Sequence, residues 1–262
     1  MWHHHGQSAA PIPNPHSLIP LGYRVGYATE TFTEDGSKAI APQFVAIGQN
    51  GIKLTDITFD IGETAKVSGE LNIQLLNKNG FMDKSYSYYK GQGSRTKHPV
   101  DGWYDEDTGL IISEENENIP FFEKGTGLWV SGLESFKMTV SGEVVKTPLA
   151  TTFDEDGSKL IANPFPVAVK LTDMVFDIGE TAKVSGELNI QLLNKNGFMD
   201  KSYSYYKGQG SRTKHPVDGW YDEDTGLIIS EENENIPVFT AGVALWVSAL
   251  EGWSVTIPAP KL

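Results

Sequence analysis

The chain has 262 residues, of which 39% are hydrophobic and 21% charged, a balance that belongs to folded chains and excludes intrinsic disorder. Its 34 acidic and 21 basic residues give a net charge of −13, which sets nucleic acid and anionic membrane surfaces aside as partners. Cysteine is absent, so disulfides, thiolate metal sites and a cysteine nucleophile are excluded, and no run reaches the ~18–20 apolar residues of a membrane helix.

The first residues, Met1 to His5, include three histidines of the kind a partial tag carries, and they are given no metal role. They lack the charged and apolar regions of a signal peptide, so any export signal is expected to have been removed or never present. Pro11, Pro13, Pro15 and Pro20 make the next stretch extended. Leu21, Tyr23, Val25 and Tyr27 then alternate with Gly22, Arg24 and Gly26, which predicts one lone strand. Residues 1–27 are therefore expected to be an extended arm whose four apolar residues add a strand to a neighbouring copy of the chain.

From Phe59 to Pro120 the sequence returns unchanged at Phe176 to Pro237, 62 residues in each copy at an offset of 117. That period exceeds any solenoid unit and matches one independent domain. The boundaries predicted are 28–145 and 147–262, joined at Lys146, Thr147 and Pro148, a joint too short to let the two swing freely.

Within the repeat, Leu71, Ile73 and Leu75 alternate with polar residues as a half-buried strand does. Asn77 to Gly80 end in an Asn-Gly pair that suits a hairpin turn. Ser85 to Tyr89 alternates again, and Leu110 to Ile112, Leu128 to Val130 and Phe136 to Val140 supply further short apolar runs between Gly-rich turns. With 27 Gly and 14 Pro and no amphipathic helix, this predicts an all-β fold of about seven strands per repeat: two tandem β-sandwiches, jelly-roll or Ig-like, behind the extended arm.

Four groups carry residue types with chemistry. Ser94, His98 and Asp101, repeated as Ser211, His215 and Asp218, have triad types but share one Gly-, Lys- and Pro-rich loop, which reads as solvated and not as a catalytic site. Asp105 and Asp107, repeated as Asp222 and Asp224, stand before a Gly as at the start of a calcium loop, and Asp154 and Asp156 form a shorter version. Calcium is thus the one candidate cofactor. Tyr86, Tyr88, Trp103 and Tyr104, with Tyr203, Tyr205, Trp220 and Tyr221, have the aromatic density of a glycan-stacking platform. Finally, Lys84 to Lys97 is basic while Asp101 to Glu117 holds seven acids and no base, which suggests complementary faces for head-to-tail docking of identical copies.

Asn163-Pro164-Phe165-Pro166, a Leu-Thr-Asp strand, Gly-Phe, Tyr-Ser-Tyr, Gly219-Trp220-Tyr221-Asp222 and a Leu-Trp-Val strand together resemble a repeat of uncharacterised secreted bacterial proteins. The first copy departs from it with Ala41-Pro42-Gln43-Phe44. The resemblance implies export to the cell exterior and a structural or adhesive role. The function expected is a self-assembling extracellular subunit of a filament, appendage or surface layer, not an enzyme, with a tandem carbohydrate-binding module as the alternative.

Overall fold

The computed structural model describes residues 24–33, 36–61, 71–77, 79, 81–91, 93–133, 135–153, 157–177, 188–194, 196, 198–208, 210–249 and 252–260. Over these the protein is all-β, its sheets small and antiparallel, with two single-turn 3-10 segments at Leu54–Asp56 and Leu171–Asp173.

The first repeat contains β1 (Val25–Phe32), β2 (Gly36–Ile40), β3 (Phe44–Val45), β4 (Gly51–Lys53), β5 (Thr58–Asp60), β6 (Leu71–Leu76), β7 (Met82–Tyr89), β8 (Gly102–Asp105), β9 (Phe121–Glu123), β10 (Leu128–Gly132) and β11 (Phe136–Val144). The smaller sheet has β11 paired with β1 on one side and with β3 and β5 on the other. The larger runs β2-β10-β6-β7-β8. Strands as short as β3, β4, β5 and β9 have no room for a readable alternation, which is why the sequence predicts fewer.

The second repeat follows with β12 (Leu149–Phe153), β13 (Gly157–Ala162), β14 (Val169–Lys170), β15 (Val175–Asp177), β16 (Leu188–Leu193), β17 (Met199–Tyr206), β18 (Gly219–Asp222), β19 (Val238–Phe239), β20 (Ala244–Ala249) and β21 (Trp253–Ile257). Its sheets run β12-β21-β15 and β13-β20-β16-β17-β18.

In each repeat the two sheets contribute to one core. Phe32, Phe136, Met138 and Val140 of the smaller sheet pack with Leu71, Ile73, Leu128 and Val130 of the larger. Phe32 and Phe136 stack at 4.2 Å, and in the second repeat Phe153 and Trp253 do the same at 4.2 Å. Full burial of each such side chain contributes about 1.5–3 kcal/mol. The polar partners of the alternation, Asn72, Gln74, Ser85 and Ser87, lie on the opposite face of the larger sheet.

That opposite face leads into the contact between repeats. Ala39 and Ala41 pack on Leu160, Ala162 and Ala244, flanked by Leu76, Trp129, Leu193 and Trp246. The backbone contacts are reciprocal: Ile40 bridges Val243 while its counterpart Ile161 bridges Thr126, and Ala41 N–H donates to Gly242 O at 2.9 Å while Ala162 N–H donates to Gly125 O at 3.1 Å. Each repeat thus offers the same patch to the other, the pattern of a two-fold interface inside one chain. Gly125 and Gly242 are required there on two counts. Both have left-handed φ, +79° and +71°, and a Cβ would collide with Leu149 or Gln43 of the opposite repeat.

The arm predicted over residues 1–27 is shortened at its inner end. Val25 and Tyr27 belong to β1 and pair with Glu143 and Ser141 of the same chain, so they are not the donated residues expected from their alternation. The reason is local: Gly26 leaves room for the Phe44 ring directly against its Cα, which lets the alternating segment close onto its own β11 and β3. Leu21 and Tyr23 lie outside the described residues.

Candidate functional site

The loop between β7 and β8 carries the triad-type residues, and the structure separates them. Ser94 is exposed. The Asp101 carboxylate accepts from Gly91 N–H at 2.7 Å and faces Lys90 at 3.7 Å. His98, expected to be solvated, is buried: its ring stacks on Tyr89 at 3.5 Å and 11° and meets the edge of Tyr104 at 4.7 Å. The loop closes tightly enough that a Cβ on Gly91 would meet the Val100 backbone at 2.8 Å.

The two tyrosine hydroxyls complete the closure. Tyr104 donates to Val100 O at 2.9 Å and Tyr89 to the Glu106 carboxylate at 2.8 Å. Burial, and then that bond to Glu106, push the Tyr89 hydroxyl up to about 12. Burial under the rings and the adjacent Lys97 charge hold His98 below the usual imidazole range, against a smaller opposing pull from Glu106. The arrangement is a neutral aromatic lock, and Tyr206, His215, Tyr221 and Glu223 rebuild it in the second repeat with the same 3.5 Å stacking. The signal in the sequence was the pair of strand-end tyrosines flanking a loop that holds one histidine.

The proposed glycan platform is divided between faces. Tyr86, Tyr88 and Trp103 point to the core, with Tyr86 against Phe122 at 6.3 Å and Trp103 against Phe59 at 4.9 Å. Tyr104 lies on the other face beneath His98, 2% exposed. In the second repeat Tyr203 and Tyr221 are likewise buried, and Tyr205 and Trp220 pack against the core. Residues 86 and 104 thus have no free ring face on which a sugar could stack; alternation along β7 and β8 sends aromatic side chains both ways.

The calcium-like Asp-Glu-Asp-Thr-Gly is a turn. Asp105 Oδ1 accepts from the N–H groups of Asp107 at 2.9 Å and Thr108 at 3.1 Å, and Gly109 takes the left-handed conformation that closes the loop. Asp107 pairs with Lys84 at 2.8 Å. Asp222 accepts from Asp224 N–H and Asp224 pairs with Lys201 in the same way. Asp154 and Asp156 lie outside the described residues, and among the described residues no three His, Asp or Glu side chains gather where a metal would be held.

Charge segregation is resolved inside each repeat. Because β7 and β8 are antiparallel neighbours, the basic and acidic stretches face each other, pairing Lys84 with Asp107 and Lys90 with Asp101, and Lys53 adds a bond to Glu114. The two stretches expected at opposite ends for head-to-tail docking are therefore adjacent and partly paired with one another.

Two open clefts flank the contact between repeats, of about 400 Å³ beside β1 and about 590 Å³ beside β12. A lysine sits in each: Lys38 lies 5.1 Å over Phe32 and donates to Thr31 O, and Lys159 lies 5.2 Å over Phe153 and donates to Thr152 O. Both ammonium groups are thus held by the chain itself.

What remains open is a strand edge. Among the described residues β1 has one neighbour, β11, and on its solvent face Val25, Tyr27 and Thr29 are exposed, Tyr27 to 75%. No protein-family model matches the chain, and no match was found among curated proteins or solved structures. Among the described residues no helix is long and apolar enough to cross a membrane.

Proposed function

We propose that the chain is a self-assembling structural subunit, each repeat a β-sandwich, that acts outside the cell and associates through exposed strand edges. The observation that carries this reading is β1, an eight-residue strand at the edge of its sheet among the described residues, with Val25 and Tyr27 exposed on its solvent face. The residues with catalytic or ligand-binding chemistry support it by their employment: His98 is stacked between tyrosines, Asp105 forms a turn, and Lys84 and Asp107 neutralise each other. The location outside the cell rests on the resemblance of the repeat to secreted bacterial proteins. Sedimentation velocity of the full chain across a concentration series tests the reading. Species that grow with concentration are expected, and a single monomeric boundary at every concentration would overturn it.

A further inference from the structure

The two repeats treat the same edge differently. β12, the counterpart of β1, spans five residues and is preceded by Pro148 at the position equivalent to Tyr27. Proline has no N–H and blocks strand addition at an edge. β1 continues through Tyr27 to Val25 with no such stop.

The register shows which groups are free. Val144 N–H donates to Arg24 O at 2.8 Å, so in the β1–β11 ladder the even-numbered residues of β1 turn their backbone groups to β11. Val25, Tyr27 and Thr29 turn theirs outward, where no described residue bonds them. At the far end Lys38 uses the outward side, donating to Thr31 O at 2.8 Å.

We propose that this edge pairs with the same edge of a second copy, antiparallel about a two-fold axis at Tyr27. This deepens the self-assembly reading and rests on it. In that register Tyr27 faces its own counterpart and Val25 faces Thr29, and all three are outward-turned residues, so each pair exchanges two hydrogen bonds. The same register sets Arg24 opposite Glu30 of the other copy, twice by symmetry. Opposite charges directly across strands stabilise the pair, and Glu30, which already holds Lys38 Nζ of its own chain at 3.2 Å, would be shared between Lys38 and the incoming Arg24. The smaller sheet would then run continuously through both molecules. An N-terminal segment of another copy laid on β1 would satisfy the same backbone groups but would not use this charge match, so it is an outcome that the test separates.

Tyr27→Pro is the decisive variant. The Tyr27 N–H points away from β11, so proline removes no bond to a described residue and closes the edge, as Pro148 does on β12. The full chain is expected to sediment as a concentration-dependent dimer, and the Tyr27→Pro chain as a monomer with unchanged circular dichroism and melting temperature. Arg24→Glu should weaken the dimer roughly three- to tenfold by placing like charges across the strands. Because the chain has no cysteine, Tyr27→Cys supplies a single thiol that mild oxidation should convert to a disulfide dimer, while Thr152→Cys on β12 should not dimerise. A full chain that is monomeric at every concentration overturns both this pairing and the self-assembly reading. Association that survives Tyr27→Pro, or that is lost only on deleting Met1–Tyr23, overturns the pairing and leaves self-assembly standing.

Discussion

The two repeats hold one stretch in common to the atom and differ on either side of it. Within the identical blocks, Lys84–Asp107 and Lys201–Asp224 are 2.8 and 2.7 Å apart, Tyr89–Glu106 and Tyr206–Glu223 are both 2.8 Å, and the histidine stacks match at 3.5 Å. Outside them, β1 and β11 have eight and nine residues where β12 and β21 have five each. The block contains the hairpin, the loops and one wall of the core, which depend on their own local bonds. The flanking strands form most of the smaller sheet, with its outer edge at β1, and also supply β2 and β10 of the larger sheet. Divergence has therefore fallen on the strands that include the outer edge of the smaller sheet.

If the block is set by itself, the same substitution should act equally in both copies. Leu71 and Leu188 are fully buried at equivalent positions, each in a core that also holds a different ring stack, Phe32–Phe136 or Phe153–Trp253. Leu71→Ala and Leu188→Ala are each expected to lower stability by about 2–5 kcal/mol in urea unfolding. Equal losses would place the block's energetics inside the block; a gap of more than about 1 kcal/mol would show that the flanking stack controls how far the cavity relaxes.

Asn163 sharpens the comparison on the side of the flanks. It is buried, donates to Val167 O at 2.7 Å and to Thr240 O at 3.3 Å, and accepts from Phe165 N–H at 3.1 Å. The first repeat has Pro42 at this position and stiffens the same bend covalently. Asn163→Ala should cost about 1–3 kcal/mol by leaving those backbone groups unsatisfied. Pro42→Ala should cost no more than about 1 kcal/mol, through the unfolded chain. Equal effects in thermal unfolding would mean that the Asn163 bonds are replaced by water.

Much of this was readable in the residues. Leu71, Ile73 and Leu75 alternate because one face of β6 meets the core, and Asn77 accepts from the N–H groups of Asn79 and Phe81 as the hairpin reading requires. Val25 and Tyr27 were legible as a strand but not as to its partner, since period-two alternation fixes a face and not a neighbour. The aromatic sites failed for a related reason: composition places Tyr86 and Tyr104 close together, while only the register shows them on opposite faces. Asp105 and Asp107 share their spelling with a metal loop because turns and hard cations both select Asp and Gly. The contact between repeats rests on Ala39, Ala41, Ala162 and Ala244, small residues that carry no signal until the strands are seen to cross.

The smallest expected effect concerns the histidines, and it tests whether the two locks act as identical units. The other four of the six histidines, His3, His4, His5 and His16, precede the described residues, so His98 and His215 are the buried pair. Each is held below its ordinary value near 6.5 by burial and by its neighbouring lysine, Lys97 or Lys214. Between that ordinary value and the lowered one, the unfolded chain binds more protons than the folded one, so stability rises with pH across the window and falls as the solution is acidified through it. Below the lowered value the loss levels off, and above the ordinary value both imidazoles are neutral and contribute no slope. The melting temperature of the full chain should therefore decline on going from pH 7.5 toward pH 5, before most carboxylates begin to protonate. His98→Phe keeps a flat ring against Tyr89 and removes the proton site, and with one lock altered the decline should halve. Adding His215→Phe should abolish it. A decline that persists in the double variant would assign the acid sensitivity to carboxylate pairs such as Lys84–Asp107, while a single variant that removes all of it would show that the two locks, though matched in every distance, do not open independently.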